Sequence, residues 1–205
     1  MHKITDPSIL YFGTPVVLIS TQNEDGTANL APMSSAWWLG HRCMLGLAAG
    51  SRTTQNIRRT SECVLNLPSA SLVTNVDRIA RTTGSDPVPD GKRRRGYKHV
   101  RDKFAAAGLT PVASELVRPP RVAECPVQME AKLRAAHPVG AGGRAFALEV
   151  AVERVHAAEE ILAEPDRIDP DAWRPLIMSF QQFYGLAPDR LHSSDLARIP
   201  EAHYR

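Results

Sequence analysis

The chain has 205 residues, of which 43% are hydrophobic and 23% are charged, and its 25 Lys and Arg face 22 Asp and Glu. This composition is ordinary for a globular protein and excludes a disordered, collagen-like or disulfide-rich one. The length suits one domain, with or without a sizeable extension. The formal net charge of +3 is too small to indicate a nucleic-acid partner.

Cysteine usage and the lack of long apolar runs bear on the cellular location. Cys43, Cys63 and Cys125 form no Cys-x-x-Cys motif and cannot all pair, which favours reduced thiols and a cytoplasmic protein. Cys125 is either a reactive thiol or a buried structural residue. A reactive thiol would need a nearby cation, and the sequence fixes none beside Cys125, so the structural role is favoured. We predict no signal peptide, because the start of the chain has no apolar core of about 7–15 residues that ends at a small-residue cleavage site. We also predict no membrane contact, because every apolar stretch is far shorter than the ~20 residues that cross a bilayer.

The first part of the chain alternates predicted strands with one short helix. The predicted elements are a buried strand at 14–21, a hairpin turn at Asp25-Gly26, a returning strand at 27–31, a buried strand at 43–49, a helix over 52–59 capped by Ser51, and a strand at 64–67 that ends at Pro68. These signals are β-branched or apolar runs for the strands and a hydroxyl cap for the helix.

After Pro68 the spacing of apolar residues becomes helical. The predicted elements are a helix through Leu72, Val73, Val76, Ile79 and Ala80 with Ser69 or Ser71 as N-cap, a mobile surface loop at 82–96, a helix at 102–107 that ends at Gly108, and strands at 127–134 and 146–152. The last two strands alternate apolar and polar residues and are joined by a short glycine-rich connection, so we predict an antiparallel hairpin.

Strands therefore dominate, and hairpins rather than long helical crossovers join them. This favours a mainly β protein with short helices (β or α+β), built as a closed or partly closed antiparallel barrel, over a parallel doubly wound sheet.

Most familiar catalytic and metal motifs are missing from the sequence. There is no phosphate-binding P-loop, no Gly-x-Ser-x-Gly and no His-Glu-x-x-His, and no two histidines have metal-ligand spacing, so no metal site is expected. Gly140–Gly143 sits between two strands, which favours a hairpin turn over a dinucleotide fingerprint. The basic run Lys92–Arg95 has two interpretations, a phosphate or nucleic-acid contact and a solvated loop, and its shortness favours the second.

Two segments differ from plain core. Residues 29–38 break the strand alternation, carry Pro32, and place two serines before Trp37-Trp38, so we expect this stretch to leave the sheet. Its free N–H groups and hydroxyls suit a polar planar ligand; the other interpretation is a strand end packed under two indoles.

Residues 50–57 place small hydroxyl residues and Arg52 at a helix N-terminus, which is either an anion site or an ordinary capped helix.

These segments, in this order, resemble the flavin reductase-like, FMN-binding split-barrel proteins. The matching pieces are residues 14–21, the Asp25-Gly26 hairpin, Asn29-x-x-Pro32-x-Ser34-Ser35, Ser51-Arg52-Thr53-x-x-Asn56-Ile57 and residues 63–68. The resemblance is strong over 12–80 and continues more weakly through 124–157 and Phe180-x-x-Phe183-Tyr184-Gly185-Leu186. It implies a single domain over 1–205 with a C-terminal extension at about 158–205.

The resemblance also implies a homodimer with FMN near the subunit interface. The flavin ring would then lie along Asn29, Ala31, Pro32, Met33, Ser34, Ser35 and Ala36, with Trp37 beside the ring or the nicotinamide. The phosphate would contact Ser51, Arg52 and Thr53, and Asn56 would either brace the loop or contact the ribityl chain. After Trp38 the chain departs from the family pattern, because Gly40-His41-Arg42 stands where relatives often have a proline-rich stretch.

The implied activity is hydride transfer from NADH or NADPH to FMN, for which the cofactors supply the chemistry and no catalytic side chain is expected. The alternative is an FMN-holding electron-transfer protein that a partner protein reduces. A reductase of this kind would also suit an oxygenase partner that uses the reduced flavin.

Overall fold

The computed structural model describes residues 1–204, apart from the side chains of Ala202 and Tyr204, and contains sixteen strands, four α-helices and four 3₁₀ helices there. The strands are β1 (Phe12–Pro15), β2 (Val17–Gln22), β3 (Ala28–Met33), β4 (Ala36–Leu39), β5 (Arg42–Ala48), β6 (Glu62–Leu67), β7 (Thr82–Thr83), β8 (Lys98–His99), β9 (Pro111–Val112), β10 (Arg121–Val122), β11 (Val127–Val139), β12 (Ala145–Ala157), β13 (Leu162–Glu164), β14 (Arg167–Ile168), β15 (Ile177–Ser179) and β16 (Gln182–Tyr184). The α-helices are α1 (Arg52–Thr60), α2 (Val73–Arg78), α3 (Asp90–Arg93) and α4 (Lys103–Ala107). The 3₁₀ helices span Ala70–Leu72, Glu159–Ile161, Asp195–Arg198 and Glu201–Tyr204. None of the helices in residues 1–204 has both the length and the apolar character to cross a membrane.

Seven strands form one antiparallel sheet in the order β3-β2-β6-β11-β12-β5-β4. Its two edge strands, β3 and β4, follow each other in the chain and are joined only by Ser34 and Ser35. A flat sheet of seven strands would hold its edges about 29 Å apart, whereas this link spans at most about 11 Å. The sheet therefore curls until its edges approach each other without closing, which confirms the predicted mainly β, antiparallel split barrel.

The longest strands of the barrel are the arms of the predicted hairpin. β11 and β12 have 13 residues each and pair from Val127 with Ala157 to Val139 with Ala145. Both arms are longer than predicted, because pairing continues up to the glycine turn. Gly140, Gly142 and Gly143 have φ of 76°, 75° and 61°, which confirms the turn interpretation of this glycine-rich stretch.

Two apolar clusters lie on opposite faces of β2. Val17 and Ile19 pack inside the barrel with Leu45, Leu65 and Leu148. Leu18 points the other way, into a second cluster where β2 and β3 meet α2 and α4; its main members are Leu30, Val76, Ile79, Phe104 and Leu176. A strand buried on both faces carries an unbroken apolar run, which explains the sequence of residues 16–19.

The predicted strand at 14–21 is divided in two, which is a correction. β1 pairs with β15 in a separate three-stranded sheet, and β2 joins the barrel. The break falls at Val16, whose N–H donates to the carbonyl of Leu176 at 2.8 Å. The apolar run gives no sign of this break, because a residue 160 positions away in the chain provides the partner.

Two predictions after Pro68 are also adjusted. The helix over 72–80 is a 3₁₀ turn at Ala70–Leu72 followed by α2 over Val73–Arg78, and Ser69 precedes it without a side-chain capping bond. The loop at 82–96 contains β7 and α3, and its Thr83 and Ser85 are buried. The chain therefore packs part of this loop against the barrel.

The two capped helices and the cysteines follow the predictions. Ser51 caps α1 by accepting from the N–H of Thr54 at 3.1 Å, and Asp102 caps α4, which ends at Gly108 with a φ of 64°. All three cysteines are free and buried. Burial raises the pKa of the Cys43 thiol to about 12 and raises that of Cys125 as well, so Cys125 is a structural residue rather than a reactive thiol.

Candidate functional site

The first predicted segment runs along the open edge of the barrel. Asn29 to Met33 belong to the edge strand β3, the chain leaves the sheet at Ser34-Ser35, and it re-enters at Ala36 as β4. Asn29 and Ala36 are buried, residues 31–35 are half-buried, and the Trp37 side chain is 58% exposed. Segment 29–37 therefore follows the edge of the sheet, partly exposed to solvent, and contains two serines.

The prediction that Pro32 takes this stretch out of the sheet is wrong. Pro32 is paired with Leu18 in the β2–β3 ladder, and Trp37 and Trp38 form β4 opposite Met44 and Cys43. An edge strand tolerates proline because one row of its backbone groups has no neighbouring strand to bond. The chain departs from the ladder two residues later, at Ser34.

The link between the two edge strands is held in place by its neighbours. The hydroxyls of Tyr11 and Ser35 are 2.7 Å apart and form a hydrogen bond, and the carbonyl of Ser35 accepts from the N–H of Gly46 at 2.8 Å. A side chain at position 46 would place its Cβ 3.0 Å from the Cβ of Ser35, so glycine permits this close approach. Ser34, beside it, lines a cavity of about 920 Å³.

The second predicted segment is the N-terminus of α1. The first intrahelical bond runs from the N–H of Gln55 to the carbonyl of Ser51, so the N–H groups of Arg52 and Thr53 precede the helical ladder. The first turn contains no acidic residue. Arg52 donates from Nε to the carbonyl of Gly84 at 3.3 Å, and its terminal nitrogens make no hydrogen bond with the rest of the described chain. This end of α1 has the donors and the dipole orientation that an anion requires.

Asn29 joins the two segments. Its Nδ2 donates to the hydroxyls of Thr53 and Thr21 at 3.2 and 3.3 Å, which fixes the barrel edge against the start of α1. Its Oδ1 is buried and has no partner among the described residues. Buried polar atoms are satisfied in most proteins, so an unsatisfied one at this junction is an acceptor left for another group.

Gly84 and Asn56 complete the junction. A Cβ on Gly84 would lie 2.5 Å from the Asn29 Oδ1 and 3.2 Å from the Arg52 Cγ, so any larger residue there would displace the Asn29 amide. Asn56 uses both hydrogens of its amide within the protein, since Nδ2 donates to the Thr21 hydroxyl at 3.1 Å and to the Asn23 Oδ1 at 2.9 Å. Of the two roles considered for Asn56, this geometry favours bracing the loop.

A basic region that is wider than the run Lys92–Arg95 lies close to the junction. Lys103 is 3% exposed, and burial, together with the nearby Lys92, lowers its pKa to about 7. Lys92 donates from Nζ to the Thr83 hydroxyl at 3.1 Å, one residue before Gly84. A charge count could have found this region: residues 78–103 contain nine Lys and Arg against three Asp, although the whole chain has a net charge of only +3.

The cap of α1 yields a first testable expectation. Ser51→Ala removes the acceptor for the Thr54 N–H and should lower the free energy of unfolding by about 1 kcal/mol, measured by urea denaturation without added ligand. Gln55→Ala is the matched control, because Gln55 is exposed on the same helix and should change stability by less than about 0.5 kcal/mol. Equal midpoints for Ser51→Ala and the parent protein would contradict this view of the cap.

The fold and this junction define a small split-barrel protein with a candidate anion site where the barrel edge meets a helix N-terminus. A family model described as flavin reductase like domain matches residues 9–187. The chain is 40% identical over 184 residues to the Bacillus subtilis (strain 168) protein YdfE, itself named uncharacterized, covering 90% of this chain and 89% of the relative. The chain therefore belongs to the flavin reductase-like family of FMN-binding split-barrel proteins, a family of flavin-related oxidoreductases.

Two solved structures are similar over most of their length. Flavoredoxin of Desulfovibrio vulgaris (Miyazaki F) superposes with a TM-score of 0.77 at 22% identity, covering 97% of this chain and all of that one. Nitrilotriacetate monooxygenase component B from Bacillus cereus gives a TM-score of 0.70 at 23% identity, covering 91% and 89%. At these identities the two structures support the split-barrel fold.

Proposed function

We propose that this protein is a flavin reductase that binds FMN and reduces it with NADH or NADPH. The observation that carries the proposal is the junction at Asn29, where the barrel edge is bonded to the start of α1 at Thr53. The partly exposed edge strand β3 therefore lies beside the N-terminus of α1, and this pairing supports FMN as the ligand, because FMN combines a planar ring with a terminal phosphate.

The residues at the junction fit FMN in their donor chemistry. The proposed ring-binding residues are Asn29, Ala31, Pro32, Met33, Ser34, Ser35, Ala36 and Trp37, and the proposed phosphate-binding residues are Ser51, Arg52 and Thr53. The N–H groups of Arg52 and Thr53, with the free guanidinium nitrogens of Arg52, supply charge-compatible donors. The unpartnered Oδ1 of Asn29 is an acceptor for a polar hydrogen of the ligand. Asn56 acts indirectly, by bracing Thr21 and Asn23.

When bound, FMN supplies the redox chemistry by accepting a hydride from the nicotinamide. The chain contributes positioning: the β3 edge and Ser34-Ser35 orient the ring, and the start of α1 anchors the phosphate. Fixing two reactants face to face supplies several kcal/mol of the barrier to reaction. N–H donors at the β3 edge and in Ser34-Ser35 would also stabilise negative charge on a reduced flavin ring. No side chain of the site needs to exchange a proton for this reaction.

The protein is proposed to act as a homodimer in the cytoplasm, without nucleic acid or membrane contacts. Exposed apolar side chains beside the site support a second subunit: Trp37 and Leu39 on β4 are 58% and 74% exposed. Phe12 on β1 is 74% exposed and packs edge-to-face on Phe180 at 4.9 Å. Large apolar patches of this kind mark protein interfaces. The likeness to a monooxygenase component B supports an oxygenase partner that uses the reduced flavin.

The alternative is an FMN-holding electron-transfer protein, and the similarity to a flavoredoxin supports this alternative. The two functions share the same FMN site and differ in whether a nicotinamide reduces the flavin. Steady-state oxidation of NADH and NADPH by the purified protein with saturating FMN separates them. Turnover above the rate of free FMN with at least one nicotinamide is the expected result. Tight FMN binding without oxidation of either nucleotide would contradict the reductase and support the electron carrier.

A further inference from the structure

A large cavity opens beside the proposed ring segment and is lined mainly by positive charge. Its volume is about 920 Å³, and it begins at Ser34 and Tyr11. Four basic side chains line it: Arg78, Arg81, Arg95 and Lys98. Asp77 is the one carboxylate among its lining residues. A cavity of this size accommodates a nucleotide-sized ligand.

These four cations have no carboxylate partner in the part of the chain that the structure describes. Nine other arginines form ion pairs, including Arg93 with Asp90 and Arg101 with Asp25. The Arg81 Nη1 is 3.6 Å from the point that a Cβ on Gly96 would occupy, so Arg81 reaches the backbone next to Arg95. The Arg78 Nη1 and the Arg95 Nε each donate to a backbone carbonyl, at 3.5 and 2.9 Å, and the other guanidinium nitrogens of Arg78, Arg81 and Arg95 make no hydrogen bond within the described chain. Guanidinium groups with free nitrogens are frequent protein ligands for a phosphate.

Aromatic rings accompany the charges. Tyr97 lines the cavity and is flanked by the Arg95 guanidinium and the Lys92 ammonium, 5.6 and 5.7 Å from its ring centre. Phe183 and Tyr11 form other parts of the wall. The Tyr11 hydroxyl is bonded to Ser35, so the wall of the cavity is continuous with the proposed ring segment. Aromatic faces next to arginines suit a nucleotide base and its phosphates.

We infer that this cavity holds the phosphate-bearing half of NADPH, with Arg81 and Arg95 at its 2′-phosphate, and that the protein prefers NADPH to NADH. The inference rests on the proposed reductase function and names its electron donor. The diphosphate common to both nucleotides carries about two negative charges, and the monoester of NADPH adds about 1.5 to 2 more. Four cations and one carboxylate line the cavity, so its positive charge exceeds the negative charge of the diphosphate alone. It matches the larger negative charge of the diphosphate and the 2′-phosphate of NADPH together.

Nucleic acid is a weaker match for the same charges. A nucleic-acid surface presents its cations in a stripe that follows the backbone of the nucleic acid, whereas these four exposed cations line one cavity. Within the basic run at 92–95, Arg93 is paired with Asp90, and Lys92 is half-buried with its ammonium on Thr83. The solvated-loop interpretation therefore describes the exposed Arg93 and Arg94, whereas Lys92 and Arg95 contact the cavity or its wall.

Direct binding of adenosine 2′,5′-bisphosphate and of ADP, measured by calorimetry on the full chain, tests the site without any turnover. The wild-type protein should bind the bisphosphate about tenfold more tightly than ADP, and Arg95→Ala and Arg81→Ala should each remove most of that difference. Arg94→Ala is the matched control, because Arg94 is exposed in the same run and does not line the cavity. Thermal unfolding of each variant establishes that it is folded.

Three results would overturn the inference: equal binding of the two adenosine nucleotides, no binding of either, or an equal loss in Arg94→Ala. Tight binding of a single-stranded DNA oligomer instead, with steep salt dependence, would overturn it in favour of nucleic acid. In turnover, the ratio of kcat/KM for NADPH to that for NADH should exceed one and fall about tenfold in Arg95→Ala. If neither nicotinamide is oxidised while the bisphosphate preference holds, the reductase function fails and the phosphate site stands.

Discussion

Arg52→Ala is expected to weaken FMN binding by about 1.5–3 kcal/mol, which is about 10- to 150-fold in Kd. The Arg52 guanidinium is held toward the start of α1 by the bond from Nε to the Gly84 carbonyl, and its terminal nitrogens remain free for the phosphate. The fold should survive, because Arg52 is partly exposed and forms no ion pair within the described chain. Quenching of flavin fluorescence during a titration with protein measures the Kd.

Arg59→Ala is the matched control for this substitution. Arg59 lies two turns further along α1, on nearly the same side of the helix, and donates to the backbone carbonyl of Gln22. The Arg59→Ala substitution removes the same charge from the same helix, but far from the N-terminus of α1. The Kd of this variant for FMN should therefore change by less than about twofold. An unchanged Kd in Arg52→Ala, or an equal loss in both variants, would show that the phosphate lies elsewhere.

Glu130→Gln is expected to lower the free energy of unfolding at neutral pH by about 3 kcal/mol. Glu130 is fully buried on β11, and its carboxylate accepts hydrogen bonds from the backbone N–H groups of Glu115, Leu116 and Val117 at 2.6–3.2 Å. The His156 Nε2 lies 2.8 Å from it as well. A glutamine amide would place its own hydrogens against these donors, so the segment at 115–117 would lose its attachment to the barrel.

The same carboxylate predicts how stability depends on pH. Burial alone would raise the pKa of Glu130, but the N–H donors of Glu115 and Leu116, with His156, hold this pKa below its ordinary value. A lowered pKa stabilises the folded protein above the unfolded pKa of about 4.3, and this contribution is lost as the pH falls through the lower folded value. The stability difference between the parent protein and Glu130→Gln should therefore be largest above pH 5 and shrink in acid.

Urea denaturation between pH 3 and pH 7 measures both effects, and Glu115→Gln provides the control. The Glu115→Gln substitution removes the same charge as Glu130→Gln. The Glu115 side chain, however, forms an exposed ion pair with Arg154, and such pairs contribute less than about 1 kcal/mol to the free energy of unfolding. A loss in Glu130→Gln no larger than in Glu115→Gln would contradict the account of this network. A difference that stays constant down to pH 3 would contradict the role assigned to its charge.

Local signals predicted the elements on which the site is built. The cap at Ser51, the hairpin around Gly140–Gly143 and the end of α4 at Gly108 depend on neighbouring residues in the chain, and the structure has each of them. The family resemblance was confirmed over residues 9–187. It named the two segments of the proposed FMN site, and the structure shows that Asn29 bonds them together.

Features that depend on distant partners were missed or only partly predicted. The break of the first strand at Val16 requires Leu176, and the pairing of Pro32 requires that β3 be an edge strand. The cavity at Ser34 gathers Arg81 and Arg95 from a region assigned to a mobile loop or a helix end. Counting only the four consecutive basic residues hid the excess positive charge over 78–103. Proximity of this kind is set by tertiary packing and has no local pattern.

The most direct test of the central claim is an absorbance spectrum of the purified full chain under nitrogen, recorded before and after addition of FMN and then of NADPH or NADH. The account predicts that FMN binding perturbs the visible flavin band and that a nicotinamide then bleaches it, with NADPH effective at lower concentration. The proposed function would be contradicted if the protein caused no change in the visible band of added FMN and if neither nicotinamide then reduced that FMN.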